Sequence, residues 1–170
     1  MTLGMTLQTF TVVHTALSLI GIVSGLVVVM ALLGGKQRGK WTALFLLTTV
    51  LTSVTGFLFP FDHLLPSHKV GMISLVALAI AILARYPMHL AGGWRPTYVL
   101  SAVLSLYLNV FVLVVQLFLK VPSLRALAPT QQEPPFFVAQ LIVLALFIWL
   151  AIAAVKGFRE DRGRVLGRAA

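Results

Sequence analysis

The sequence predicts an all-α integral membrane bundle of five transmembrane helices, with the N-terminus outside the cytoplasm and the C-terminus inside. Three observations predict it. Of the 170 residues, 59% are hydrophobic and only 10% are charged, whereas soluble domains carry about 25% charged residues. The apolar residues gather in five stretches, about 8–33, 41–59, 68–88, 98–119 and 136–155. The basic residues are divided unequally between the connections.

The first, second, fourth and fifth stretches contain no Asp, Glu, Lys or Arg, and each approaches the ~20 apolar residues that a bilayer core of ~30 Å requires. The third is the weakest. Its uncharged core, 70–83, is too short at ~1.5 Å per residue. Ser67 after Pro66 could cap an earlier start, or the helix could run past a snorkelling Arg85 and kink at Pro87. A re-entrant segment is the alternative.

Charge decides for crossing. Lys36, Arg38, Lys40, Arg85, Arg95, Lys156, Arg159, Arg162, Arg164 and Arg168 fall on one side of a five-span chain, and Lys69, Lys120 and Arg125 on the other. Ten against three places the first group in the cytoplasm, and alternation then demands an odd number of spans. The first apolar run has no preceding Lys or Arg and exceeds a signal-peptide core, so it is expected to be retained as a helix.

Residues 1–156 form a single transmembrane domain on this reading, and 157–170 a basic cytoplasmic tail, mobile and solvated. The net charge of +9 and pI of about 11.0 then mean contact with the bilayer and its anionic lipids at the cytoplasmic face, not nucleic acid. No cysteine is present, which excludes disulfides and thiolate metal sites. The proline-rich segment 120–135 is expected on the outer side. Its residues 123–128 can form amphipathic turns, with Leu124 and Leu127 at the interface, as a cap over the bundle.

Helical spacing identifies inward faces. His14, Ser18, Gly21 and Gly25 share one face of the first helix, and Gly21 and Gly25 form a GxxxG pair suited to close helix contact. Thr48, Thr52 and Thr55 share a face of the second. Ser101, Ser105, Asn109 and Gln116 lie in one sector of the fourth. Thr52, Asn109, Gln116 and Gln140 are therefore candidate cavity-lining residues, either as structural glue or along a solute path. No ionisable residue lies near mid-membrane, which weighs against ion-coupled transport.

The stretch 57–68, FLFPFDHLLPSH, joins the second and third helices and is no ordinary hydrophilic loop. The topology gathers His14, Asp62, His63, His68 and Glu133 toward the outer leaflet. Such imidazole and carboxylate groups suit a transition metal such as zinc, iron or copper. His14, His63 and His68 are also candidate cofactor ligands, since two histidines on facing helices can hold a b-type haem. A histidine with a carboxylate can instead hold a quinone or quinol head group. Helix capping by Asp62 and His63 remains open beside these. His89, among Arg85, Tyr86, Trp94 and Arg95, reads as an interfacial histidine. No catalytic residue is assignable.

The runs GFLFPFDHLLPSH (56–68) and LKVPSLRALAPTQQEPPF (119–136) resemble a group of small bacterial multi-pass membrane proteins without an assigned activity. That resemblance implies the bacterial inner membrane. A redox or respiratory-accessory role at the outer leaflet is the leading functional expectation. A small-solute transporter or flippase, or a non-catalytic accessory subunit with partner subunits or in a homo-oligomer, are the alternatives.

Overall fold

The computed structural model describes residues 4–59 and 66–167, with Pro66 and residues 159–167 described by backbone alone. The described residues are helical and contain no strand. The order is α1 (Leu7–Leu33), α2 (Gly39–Gly56), α3 (Pro66–Arg85), α4 (Trp94–Lys120), the short α5 (Pro122–Leu127) and α6 (Pro134–Gly167).

Among the described residues four helices are long and apolar enough to cross a membrane: Leu7–Leu33, Ser67–Arg85, Trp94–Lys120 and Pro134–Phe158. The third apolar stretch is among them, because Ser67 extends the helix on its N-terminal side. It stops at Arg85 rather than continuing to residue 88. The residue before Pro87 is driven out of helical geometry, and His89 and Leu90 turn the chain with positive φ. The helix that falls short is α2. Its 18 residues span about 27 Å at ~1.5 Å each, but Lys40 and a run of threonines and serines lower its apolarity.

The long helices run antiparallel in sequence order. Thr55 of α2 meets His14 of α1, and a Cβ on Gly21 would touch Thr49 while one on Gly25 would touch Phe45. So α2 lies alongside residues 14–25 of α1 in one antiparallel register. Arg85 of α3 sits over the Tyr98 ring of α4 at one end. Tyr107 of α4 packs on Phe147 of α6, and Arg95 on Phe158. Consecutive neighbours α1, α2, α3 and α4 close into a four-helix ring, and α6 packs on its α1–α4 flank. The beginning of α1 and the Phe158 region of α6 therefore lie at opposite ends of the bundle.

One core fills the ring, with Phe45, Leu78, Ala81, Ala102 and Leu106 fully shielded. Small residues set the closest approaches, as expected where lipid removes the hydrophobic drive between helices. The Gly21–Gly25 face packs against α2 and α4. A second close approach carried no sequence signal: a Cβ on Gly157 would collide with the Leu33 carbonyl oxygen.

Residues 157–167 continue α6 as helix, with no proline to stop it after Pro135. One expectation is corrected here: α5 does not roof the bundle. Leu124 packs inward beside Phe118, Ala128 and Phe136, at the corner between α4 and α6, while Leu127 is exposed.

Candidate functional site

A cavity of about 100 Å³, largely apolar with several polar side chains on its walls, opens between α1, α2, α3 and α4, at the end of the ring where α2 hands over to α3. His14 and Ser18 face it from α1, Thr52 and Phe57 from α2 and its exit, His68 and Ser74 from α3, and Asn109 from α4. Below it, the shielded Phe45, Leu78 and Leu106 close the ring.

The sequence makes this cavity by spacing. The stripe His14, Ser18, Gly21 turns α1 inward, and Thr52 and Gly56 do the same for α2. A stripe not identified in the sequence lies on α3. Ser67, Gly71 and Ser74 repeat the four–three spacing of α1 and line the same cavity. Gly71 lets the Phe57 ring approach, since a Cβ there would stand 3.2 Å from it.

The hydrogen bonding favours one tautomer of His14. Its Nδ1 lies 2.8 Å from Thr55 Oγ1. The single Thr55 hydroxyl proton is already donated to the Leu51 carbonyl at 2.7 Å. A hydroxyl has one proton and two lone pairs, so His14 Nδ1–H donates to Thr55. Nε2 of the neutral ring is then an acceptor. Phe59 meets the imidazole edge-on at 5.1 Å. His68 is 4% exposed, and its ring packs on Phe57 at 5.5 Å.

Asn109 supplies the complementary group. Its Oδ1 accepts the Ser18 hydroxyl at 2.9 Å. Its Nδ2 is buried without a partner, on a residue 8% exposed. A buried amide N–H left unpaired is costly, and this one lies against Gly21, 3.2 Å from where a Cβ there would stand, beside the equally unpartnered Thr49 Oγ1. Most other hydroxyls nearby are spent locally: Thr52 donates to the Thr48 carbonyl and Thr48 to that of Leu44. Ser53 and Ser74 pair across α2 and α3 at 3.2 Å.

The structure therefore brings together His14, His68, Thr52 and Asn109. Asp62 and His63 lie outside the described residues. Glu133 belongs to another corner. Its Oε1 accepts from the Thr130 amide and hydroxyl, and its Oε2 from the Gln132 amide, at the start of α6. Partial desolvation alone would raise its pKa, but the hydrogen bonds from Thr130, Gln132 and its own backbone outweigh that and hold it below the usual carboxylate value. Gln116 is exposed on α4, two turns past Asn109, where no neighbour covers it. Gln140 is buried but faces α4, donating to the Phe111 carbonyl at 3.2 Å. His89 is exposed, as expected.

The metal expectation is not supported: among the described residues no group of three or more His, Asp or Glu side chains comes together to hold a metal ion. The haem reading also involves His63, which lies outside the described residues. His14 and His68 do face one cavity from different helices, but drug-sized ligands already need about 300 Å³ or more, and a macrocycle needs no less. Cavities of roughly 150 Å³ admit a single benzene ring, and this one is smaller.

No family model matches the chain, and no curated protein or solved structure matches it.

Proposed function

We propose that this chain is a five-span membrane protein that holds the single-ring head group of a quinol or quinone in the cavity between α1 and α4. The observation that supports it is that His14, with Nε2 as acceptor, and Asn109, whose amide Nδ2 has no partner, belong to the walls of one cavity. A quinol donates one hydroxyl to the imidazole and can accept from the amide at its other hydroxyl oxygen; a quinone carbonyl can accept from the amide alone. The cavity, about 100 Å³ and open at its mouth, takes part of one ring, and the rest of the head group and a prenyl tail extend outside it along lipid. The role is redox or respiratory-accessory, in a bacterial inner membrane.

Five spans, with the N-terminus external, rest on two arguments. The ten-to-three division of basic residues gives the direction. The antiparallel register supports the count, since α2 lies alongside residues 14–25 of α1. Composition undercounts α2 because Thr48, Thr52 and Thr55 return their hydroxyl protons to their own helix's carbonyls, which lowers the cost of those groups in lipid.

Calorimetric titration of the purified protein with a short-chain benzoquinol tests the ligand. Saturable binding that His14→Ala and Asn109→Leu each weaken at least tenfold is expected. No binding by the natural chain up to the solubility of the quinol overturns the proposal. Reporter fusions at residues 1 and 170 test the topology separately, and both reporters on one side would remove a span.

A second reading draws on the same walls. Thr52 and Asn109 line an opening closed beneath by Phe45, Leu78 and Leu106, as in one access state of a small-solute transporter. Uptake of polar solutes into proteoliposomes, without quinol binding, would favour it.

A further inference from the structure

At the opposite end of the bundle a second hollow, of about 630 Å³, lies between the last turns of α1 and the start of α2. Its wall is apolar and helically spaced. Leu26, Met30 and Ala31 form a trough along α1, and Leu26 and Met30 are 43% and 64% exposed. From Leu26 to the helix end is about 12 Å at ~1.5 Å per residue. The mouth has a different chemistry. Lys36 and Arg38 stand there with Trp41, itself 40% exposed.

We propose that this groove binds an anionic phospholipid, with an acyl chain in the trough and the phosphate between Lys36 and Arg38. Charge complementarity carries the choice of occupant. The lining holds two cations and no acidic residue, and no acidic residue occurs anywhere between residues 1 and 61. A third cation stands close: Arg85 Nη2 lies 3.7 Å from where a Cβ on Gly39 would be, at the first residue of α2. The start of α2 has no side-chain cap, so its free N–H groups add to the positive field. Trp41 suits the level between headgroup and chain, where an indole buries its ring and keeps its N–H in a polar layer. Gly35, at φ +71, makes the tight reversal that keeps both cations over the trough. This proposal needs α1 to lie in a bilayer but does not depend on the quinol reading or on which leaflet the groove faces.

The test is native mass spectrometry of the purified full chain, equilibrated with equal amounts of phosphatidylglycerol and phosphatidylcholine of identical acyl chains. Preferential retention of phosphatidylglycerol is expected. Lys36→Gln and Arg38→Gln should each cut that preference about fivefold, the effect of ~1 kcal/mol per basic residue at a membrane surface. Ala31→Phe, which fills the trough and leaves the charges, should reduce retention of both lipids. The control Arg125→Gln, at the other end, should change nothing. Equal retention of the two lipids, or a preference that survives the Lys36→Gln/Arg38→Gln double variant, overturns the site. So does an equal loss with Arg125→Gln. Displacement of the lipid by millimolar inorganic phosphate would show a phosphate site instead and also overturn it.

Discussion

His14 Nδ1 and Thr55 Oγ1 stand 2.8 Å apart across the α1–α2 contact, and the Thr55 proton is committed to Leu51. This relationship favours one tautomer of the imidazole and aims its chemistry. Thr55→Val removes the acceptor and leaves the shape nearly unchanged. The ring then loses its orientation, so benzoquinol affinity should fall by tenfold or more, while stability falls only by about 0.5–1.5 kcal/mol for one lost hydrogen bond. Thr55→Ser should retain both. Calorimetry and thermal unfolding of the three proteins check it, and unchanged affinity in Thr55→Val would remove Thr55 from the site.

The Ser18–Asn109 bond joins α1 to α4 at 2.9 Å. Interhelical hydrogen bonds in membranes average about 0.6 kcal/mol and reach about 1.7. A double-mutant cycle with Ser18→Ala and Asn109→Ala should give a coupling in that range. Asn109→Ala alone should cost more stability than Ser18→Ala, because it also empties volume beside the cavity and orphans the serine. Ser18→Ala leaves Nδ2 in place, so it should bind quinol more nearly as the natural chain does. Coupling indistinguishable from zero would show that the two groups do not bond.

The inward faces of α1 and α2 were legible in the sequence because helical spacing alone specifies a face. The pairing of His14, Ser18 and Gly21 with Thr55, Asn109 and Thr49 follows from it. What spacing cannot specify is position around the ring. Hydropathy and charge sort His14, His68 and Glu133 to one end, but not to one cavity. Glu133 lies at the α4–α6 corner, serving the start of α6. Gln116 shows the second limit. Its angle on α4 matches Asn109, yet about 10 Å further along the axis no neighbour remains to cover it. The hydroxyls of α2 lower its apolarity below that of the other long helices, although Thr48 and Thr52 return their protons to their own helix's carbonyls.

Glycine packing predicts a graded series. A Cβ on Gly25 would stand 2.7 Å from Leu106 Cδ1 and 2.9 Å from the Phe45 ring, both fully buried. Gly25→Ala should therefore cost about 1–3 kcal/mol of overpacking, despite ~1 kcal/mol of gained helix propensity. Gly157→Ala meets the Leu33 carbonyl oxygen, which is backbone and cannot rotate aside, so its cost should exceed that of Gly25→Ala. Gly93→Ala, which faces open space with φ −67, should be near neutral. Unfolding in mixed micelles ranks the three, and a neutral Gly157→Ala would mean that α6 does not press on the end of α1.

Glu133 gives the chain a local acid sensitivity. Its carboxylate is held below the ordinary value by hydrogen bonds from Thr130 and Gln132, against partial desolvation. A carboxylate with a depressed folded-state pKa contributes stability that is fully present above the unfolded value, ~4.3. That contribution is lost as pH falls through the folded value. Amide exchange at residues 130–137 should therefore be slow and flat above that range and accelerate below it. Glu133→Gln keeps the size but cannot carry the charge, so its exchange should be faster at neutral pH and nearly independent of pH once the intrinsic exchange rate is divided out. The same substitution should leave quinol binding unaltered, because Glu133 lies apart from the His14–Asn109 cavity. A Glu133→Gln variant that lost quinol affinity would place this carboxylate in the site and reverse its assignment to the start of α6.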